Sequence, residues 1–231
     1  MERKLGKKQA FHQMLNAGGQ KLAAHRHFLL LLYWPLFLFA FYLLENTATG
    51  RQYYVIRCPL DALVPFCGVF VIPYVMWFVF VGGMTAYTAL CDKAAFVRYM
   101  KFIILTYTAA LIAFLVYPST QPLRPEFFAN PDIFTCMVVD IYSLDTNTNV
   151  CPSVHVLGQV AVLLAALDCK RLSSLAWRLF FILSSLAVCL STVFIKQHSV
   201  LDVIAALVLC EIAAPLVYRR KGAPAGKERS R

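Results

Sequence analysis

The sequence predicts an all-α, polytopic membrane protein with six transmembrane helices, and three observations carry that expectation. Of its 231 residues, 60% are hydrophobic and 15% charged, with a mean hydropathy of +0.64. One soluble core of this length cannot hide so much apolar side chain. Six apolar stretches approach or exceed the roughly 20 helical residues that cross a hydrocarbon core. Lys and Arg, finally, are shared very unequally between the loops those stretches define, as membrane sidedness requires.

Taken in order, residues 1–27 form a basic tail whose apolar run begins only at Phe28. No small-residue cleavage site follows, so the run reads as a retained anchor. The six spans fall at about 28–45, 64–90, 102–117, 153–168, 175–194 and 198–218, giving a membrane domain over 28–218 and a basic tail over 219–231. Pro73 predicts a kink in the second span, with 59–67 lying along the interface before it. An even number of spans puts both tails on one side. That side carries 18 Lys and Arg, in the two tails and in the 91–101 and 169–178 segments. The other carries four: Arg51, Arg57, Arg124 and Lys196. Both tails are therefore expected in the cytoplasm, most simply at the plasma membrane. The net charge of +10 reads as cytoplasmic flank and not as a nucleic-acid footprint. Cys136 and Cys151 fall outside and could pair, whereas Cys189 and Cys210 sit in apolar helices as small buried residues. No CxxC pair or local Cys/His cluster is present, so no metal and no cofactor is expected.

Ionisable groups at membrane depth are functional candidates, and here they converge. YPSTQPLRPEFF (117–128) leaves the third span on the outer side with Arg124; NVCPSVHVLGQ (149–159) enters the fourth span from that side with Ser153 and His155. STVFIKQHSVLDVIAALVL (191–209) closes the fifth span and opens the sixth with His198 and Asp202. The set suits phosphoryl transfer. Arginine offers a planar fork of donors to phosphate oxygens. Pro152 fits the first turn of the fourth helix, whose N-terminus favours the same anion. Ser153 suits either a hydroxyl donor to phosphate or an N-cap. His198 and Asp202, four apart, share one helix face, where the carboxylate can fix the imidazole tautomer. The plainer reading of that pair is a polar clamp between helices. His155 could protonate a leaving oxygen, and Lys196, two residues before His198, could add a cation. Trp34, Tyr74, Trp77 and Tyr117 read as interface belts and packing.

PSVH at 152–155, Arg124-Pro125, and Ser191 followed by His198 and Asp202 resemble the three motifs of the type 2 phosphatidic acid phosphatase superfamily, over a core of about residues 102–210. That resemblance implies His198 as a nucleophile forming a phosphohistidine, Asp202 as its orienter and His155 as general acid. It implies Arg124 and Ser153 as phosphate ligands, and a reaction without metal. The substrates it implies are lipid phosphates or pyrophosphates, or phospholipids whose phosphorylated head groups are moved to another lipid. Two positions depart from the family pattern: Tyr117 stands where its first motif has lysine, and Thr192 where its third has arginine. Losing two cations penalises a phosphomonoester dianion more than a diester. Hydrolysis and head-group transfer, as in inositol-phosphorylceramide and sphingomyelin synthases, therefore both stand. A transporter would place its charges near the midplane of broken helices, unlike the one-sided cluster here. A catalytically inactive relative would not need His155, His198 and Asp202 together.

Overall fold

The computed structural model describes residues 25–46 and 50–218. Most of both expected basic tails, 1–24 and 219–231, lies outside them. A 3-10 segment, Arg26–Leu32, runs into helix α1, Tyr33–Asn46. The short strand β1, Tyr54–Val55, and the short helix α2, Pro59–Leu63, follow. Helix α3, Val71–Cys91, is entered through a 3-10 turn at Gly68–Phe70 and is followed by α4, Lys93–Val116. Strand β2, Ser119–Thr120, pairs in parallel with β1 and precedes α5, Ile133–Leu144. The chain ends with α6, Val154–Asp168, α7, Leu175–Phe194, and α8, Val200–Tyr218.

The sequence writes the helix starts directly. Asp92, Asp132, Ser153 and Ser174 each cap a helix by accepting a hydrogen bond from the backbone N–H three residues on, satisfying one of the donors that a first turn leaves free. Pro73 falls in the first turn of α3, where its missing N–H is not needed. The expected interruption is thus absent, and α3 is one helix from Val71 to Cys91.

The protein is all-α apart from the two-residue strands. Among the described residues, five segments are long and apolar enough to cross a bilayer: Arg26–Asn46, Gly68–Cys91, Lys93–Val116, Leu175–Phe194 and Val200–Tyr218. Leu36, Phe78, Leu183 and Ile212 on them are exposed, a surface suited to lipid and not to water. The chain is a multi-pass membrane protein. The remaining expected span forms α6, whose 15 residues reach about 22 Å at 1.5 Å per residue, short of the roughly 30 Å hydrocarbon core.

Helix α6 is the centre of the bundle. It packs against α3, α4, α7 and α8, so Val156, Leu157, Gly158, Gln159, Ala161, Val162, Ala165 and Ala166 are all buried. Small residues let four neighbours approach one short helix. Gly158 is the tightest point: a Cβ there would lie 2.4 Å from Tyr107 Oη and 2.9 Å from Trp77 Nε1. Inside this shell Gln159 Nε2 donates to Ser185 Oγ at 3.0 Å. At one end Arg98 Nε meets Asp168 Oδ2 at 2.6 Å, joining α4 to α6. At the other end the polar loops gather.

Candidate active site

The turn between α7 and α8 carries His198, and it is fixed from several directions. The N–H groups of Gln197 and His198 both donate to Thr192 O at 3.0 Å. Fully buried Gln121 reaches across from the segment after β2, its Nε2 donating to the carbonyls of Lys196 (2.9 Å) and Gln197 (3.2 Å). Tyr142 Oη donates to Ile195 O. Helix α2 closes the far side. Asp61 Oδ1 accepts from Val200 N at 2.8 Å, and Oδ2 accepts from Ser199 Oγ at 2.8 Å and Cys58 N at 2.7 Å. Burial alone would raise the Asp61 pKa, but the bonds from Val200, Cys58 and Ser199 outweigh it and hold the carboxyl below its ordinary 3.8.

Within this frame His198 Nδ1 lies 3.3 Å from Asp202 Oδ2. A carboxylate can only accept, so a proton on Nδ1 satisfies this contact and leaves Nε2 as the ring's other nitrogen. Asp202 is fully buried, takes a second bond from Ser199 N at 2.9 Å, and its carbonyl accepts from Ser153 N at 3.2 Å. That last bond ties the start of α6 to the first turn of α8 and so brings His155 to His198. Their ring centroids are 5.6 Å apart. Tyr74 and Trp77 of α3 pack on His155 at 4.5 and 4.6 Å, while its Nδ1 is buried without a partner among the described residues. These two aromatics support the site and are not merely an interface belt.

Arg124 braces the wall behind the histidines. Its Nη1 donates to the carbonyls of Tyr142 (3.2 Å) and Asp145 (3.0 Å), its Nη2 to Thr146 O (3.0 Å) and to Gln197 Oε1. Its guanidinium lies 4.6 Å from the Tyr142 ring centroid. Burial lowers the Arg124 pKa, with Asp145, Tyr142 and Tyr74 pulling it back. Gln197 Nε2 in turn donates to Asp145 Oδ2 at 3.2 Å and to Tyr74 Oη at 3.3 Å. Burial raises the Asp145 pKa, against the pull of His198 and Arg124.

A cavity of about 50 Å³ opens over both histidines, walled by Phe41, Asp145, Thr148, Asn149 and Gln197. It shares Phe41, Asp145, Val154 and His155 with an apolar cleft of about 370 Å³ between α1, α3 and α5. The cleft is lined further by Phe37, Leu38, Val75 and Phe78. A polar chamber thus adjoins a greasy groove with room for part of an acyl chain.

The structure brings five of the six expected residues into one network, in different roles. His155 and His198 line the cavity and Asp202 stands behind His198, whereas Arg124, expected as a phosphate ligand, spends its Nη groups on the wall and does not border the cavity. Ser153 is fully buried as the N-cap of α6, accepting from Val156 N at 3.4 Å, and Pro152 precedes that cap instead of lying in the first turn. Lys196 is the correction. Its backbone takes φ 57°, and its Nζ donates to the carbonyls of Asp61 (2.9 Å) and Val64, so it faces α2 and not the histidines. Thr192 bonds Cys189 O, and Tyr117 stacks on Tyr54 at 4.2 Å; neither borders the cavity. Cys136 and Cys151 are separate thiols. Burial, and then the Asp202 carboxylate, push Cys151 up to about 12.

Asp61, Gln121, Asp145 and Gln197 are the residues that sequence reasoning missed. The polar run Lys196–Ser199 beside His198 was the one local signal for Gln197. Comparison with known proteins finds no matching family model, characterised protein or solved structure.

Proposed function

We propose that this protein is a membrane enzyme that cleaves or transfers a phosphate ester borne by a lipid, by way of a phosphohistidine at His198. The observation that carries the reading is the Asp202–His198 pair beside His155 at a cavity that shares its lining with an apolar cleft. In the reaction His198 Nε2 attacks phosphorus and forms the N–P bond as the P–O bond to the leaving group breaks. His155 gives its proton to the departing oxygen. Water or an alcohol then attacks phosphorus and gives its own proton to His155 as the N–P bond breaks. Asp202 keeps the Nδ1 proton in place and stabilises the charge that the ring gains.

The resemblance at Arg124-Pro125, Pro152–His155 and Ser191–Asp202 supports the same chemistry. In this reading α6 is the fourth of six spans, short because protein surrounds it. The cavity opens at the extracytoplasmic interface, with both tails in the cytoplasm of a plasma-membrane protein. Head-group transfer to a second lipid is the second reading. It is favoured by a cavity bordered, among the described residues, by Asp145 and by no Lys or Arg, a wall less hostile to a diester than to a dianion.

The test uses the purified full chain in detergent with EDTA and phospholipids carrying labelled phosphate. Label is expected on the protein as an acid-labile phosphoenzyme, and then in free phosphate or in a second lipid. His198→Ala should abolish all three signals. Full turnover by that variant, or a strict need for added metal, would overturn the assignment.

A further inference from the structure

Glu45, in the last turn of α1, sits beside the rim of the cavity and organises it. Its Oε2 accepts from the hydroxyls of Thr146 and Thr148 (2.9 Å), and its Oε1 accepts from Asn149 Nδ2. A carboxylate can only accept, so all three side chains turn their donors toward Glu45. Thr148 Oγ1 also lies 3.1 Å from Thr146 Oγ1 as donor, so the Thr148 lone pairs and one on Thr146 are left over, together with Asn149 Oδ1. Asn149 is 4% exposed, its backbone holds φ 53°, and its Oδ1 is buried with no partner among the described residues. Thr146, Thr148 and Asn149 all border the cavity, as does the Asp145 carboxylate. The nearest cation, Arg124, directs its Nη groups to three backbone carbonyls and Gln197. This side of the chamber therefore offers acceptors and negative charge, with the Phe41 ring beside them.

A buried acceptor without a donor is costly unless a ligand supplies one. A phosphate dianion on this wall would meet only acceptors and carboxylates. An ammonium would meet Asp145 and two hydroxyl lone pairs, with Asn149 Oδ1 just beneath the surface and an aromatic face close by. We propose that the Glu45-backed wall of Thr146, Thr148 and Asn149, with Asp145, is a head-group subsite for a primary alkylammonium. The lipid substrate is then a zwitterionic diester of the phosphatidylethanolamine kind, not a phosphomonoester or an anionic diester. The identity of the substrate rests on the phosphoester reading above; the subsite itself does not.

The experiment separates the two. Soluble dihexanoyl phosphatidylethanolamine, phosphatidylglycerol and phosphatidic acid compete with a fluorescent lipid for the detergent-purified full chain. The same three lipids, labelled at phosphate, are assayed for the phosphoenzyme. The ethanolamine lipid is expected to bind about tenfold more tightly than the glycerol lipid, the size of one charge-assisted hydrogen bond. Glu45→Gln should erase most of that preference, and Asp145→Asn should reduce it in a chain whose α1 is unaltered; melting curves report whether each variant folds. Equal or tighter binding of phosphatidylglycerol or phosphatidic acid, or a preference that survives both substitutions, overturns the subsite. If ethanolamine lipid is preferred yet no lipid phosphorylates the protein, the enzyme reading fails and the subsite stands. If all three phosphorylate it and bind alike, the enzyme reading stands and the subsite fails.

Discussion

Asp61→Asn tests the idea that α2 sets the position of His198. The carboxylate accepts three hydrogen bonds, from Cys58 N, Ser199 Oγ and Val200 N. Asparagine keeps the volume but has one acceptor oxygen. If that oxygen stays on Cys58 and Ser199, the new NH2 faces the Val200 N–H, donor against donor. One hydrogen bond to a charged group is lost and two are weakened, a loss of about 2–4 kcal/mol. For a chain of this size that lowers the melting temperature by roughly 5–15 °C. The loss should also loosen the 3.3 Å contact between His198 and Asp202, because Ser199 and Val200 directly follow His198. The sign of the pH dependence is fixed by the depressed Asp61 pKa. Its stabilisation is fully present above the ordinary value of 3.8 and disappears as pH falls through the lower folded-state value. The assay is thermal melting of wild type and variant in detergent from neutral to acidic pH, with phosphoenzyme formation measured alongside. The gap between the two proteins should be full at neutral pH and close on strong acidification. A variant melting within about 2 °C of wild type at neutral pH, or a gap that widens in acid, would refute the reasoning.

Gly158→Ala should cost about 1–3 kcal/mol, because the added carbon collides with Tyr107 or with Trp77, which packs on His155; a variant that melts at the wild-type temperature would contradict the packing. Cys151, with its thiol pushed up to about 12, stays protonated near neutral pH. Maleimide should label exposed Cys136 well before Cys151, and equal rates at the two sites, read by mass spectrometry of the digested protein, would count against that burial. Arg98→Ala removes a partly exposed ion pair with Asp168 and should change stability by less than about 1 kcal/mol. A larger drop in its melting curve would mean that the end of α6 depends on that pair.

Much of the architecture is written locally. The capping residues Asp92, Asp132, Ser153 and Ser174 stand where helices begin, and the apolar runs become the helices. The pairing of His198 with Asp202 was legible from their spacing, but His198 makes the contact from the turn before α8, which begins at Val200, and not from a shared helix face. The Pro73 kink failed for a local reason as well: the helix starts at Val71, so the proline falls in its first turn.

What the sequence could not fix is which loops meet. Gln121 and Lys196 are separated by 75 residues and Asp61 and Ser199 by 138, and each looks like an ordinary polar residue in its own segment. Lys196 was the natural cation for the site by proximity along the chain, yet one left-handed residue and two carbonyls of the α2 region turn it away. The sequence by itself determined a multi-pass helical chain with its candidate site residues in order. Only the tertiary structure decided which polar groups face the histidines. Hydrogen-bond donors and acceptors buried between distant segments must find one another in space, and no local periodicity records that pairing.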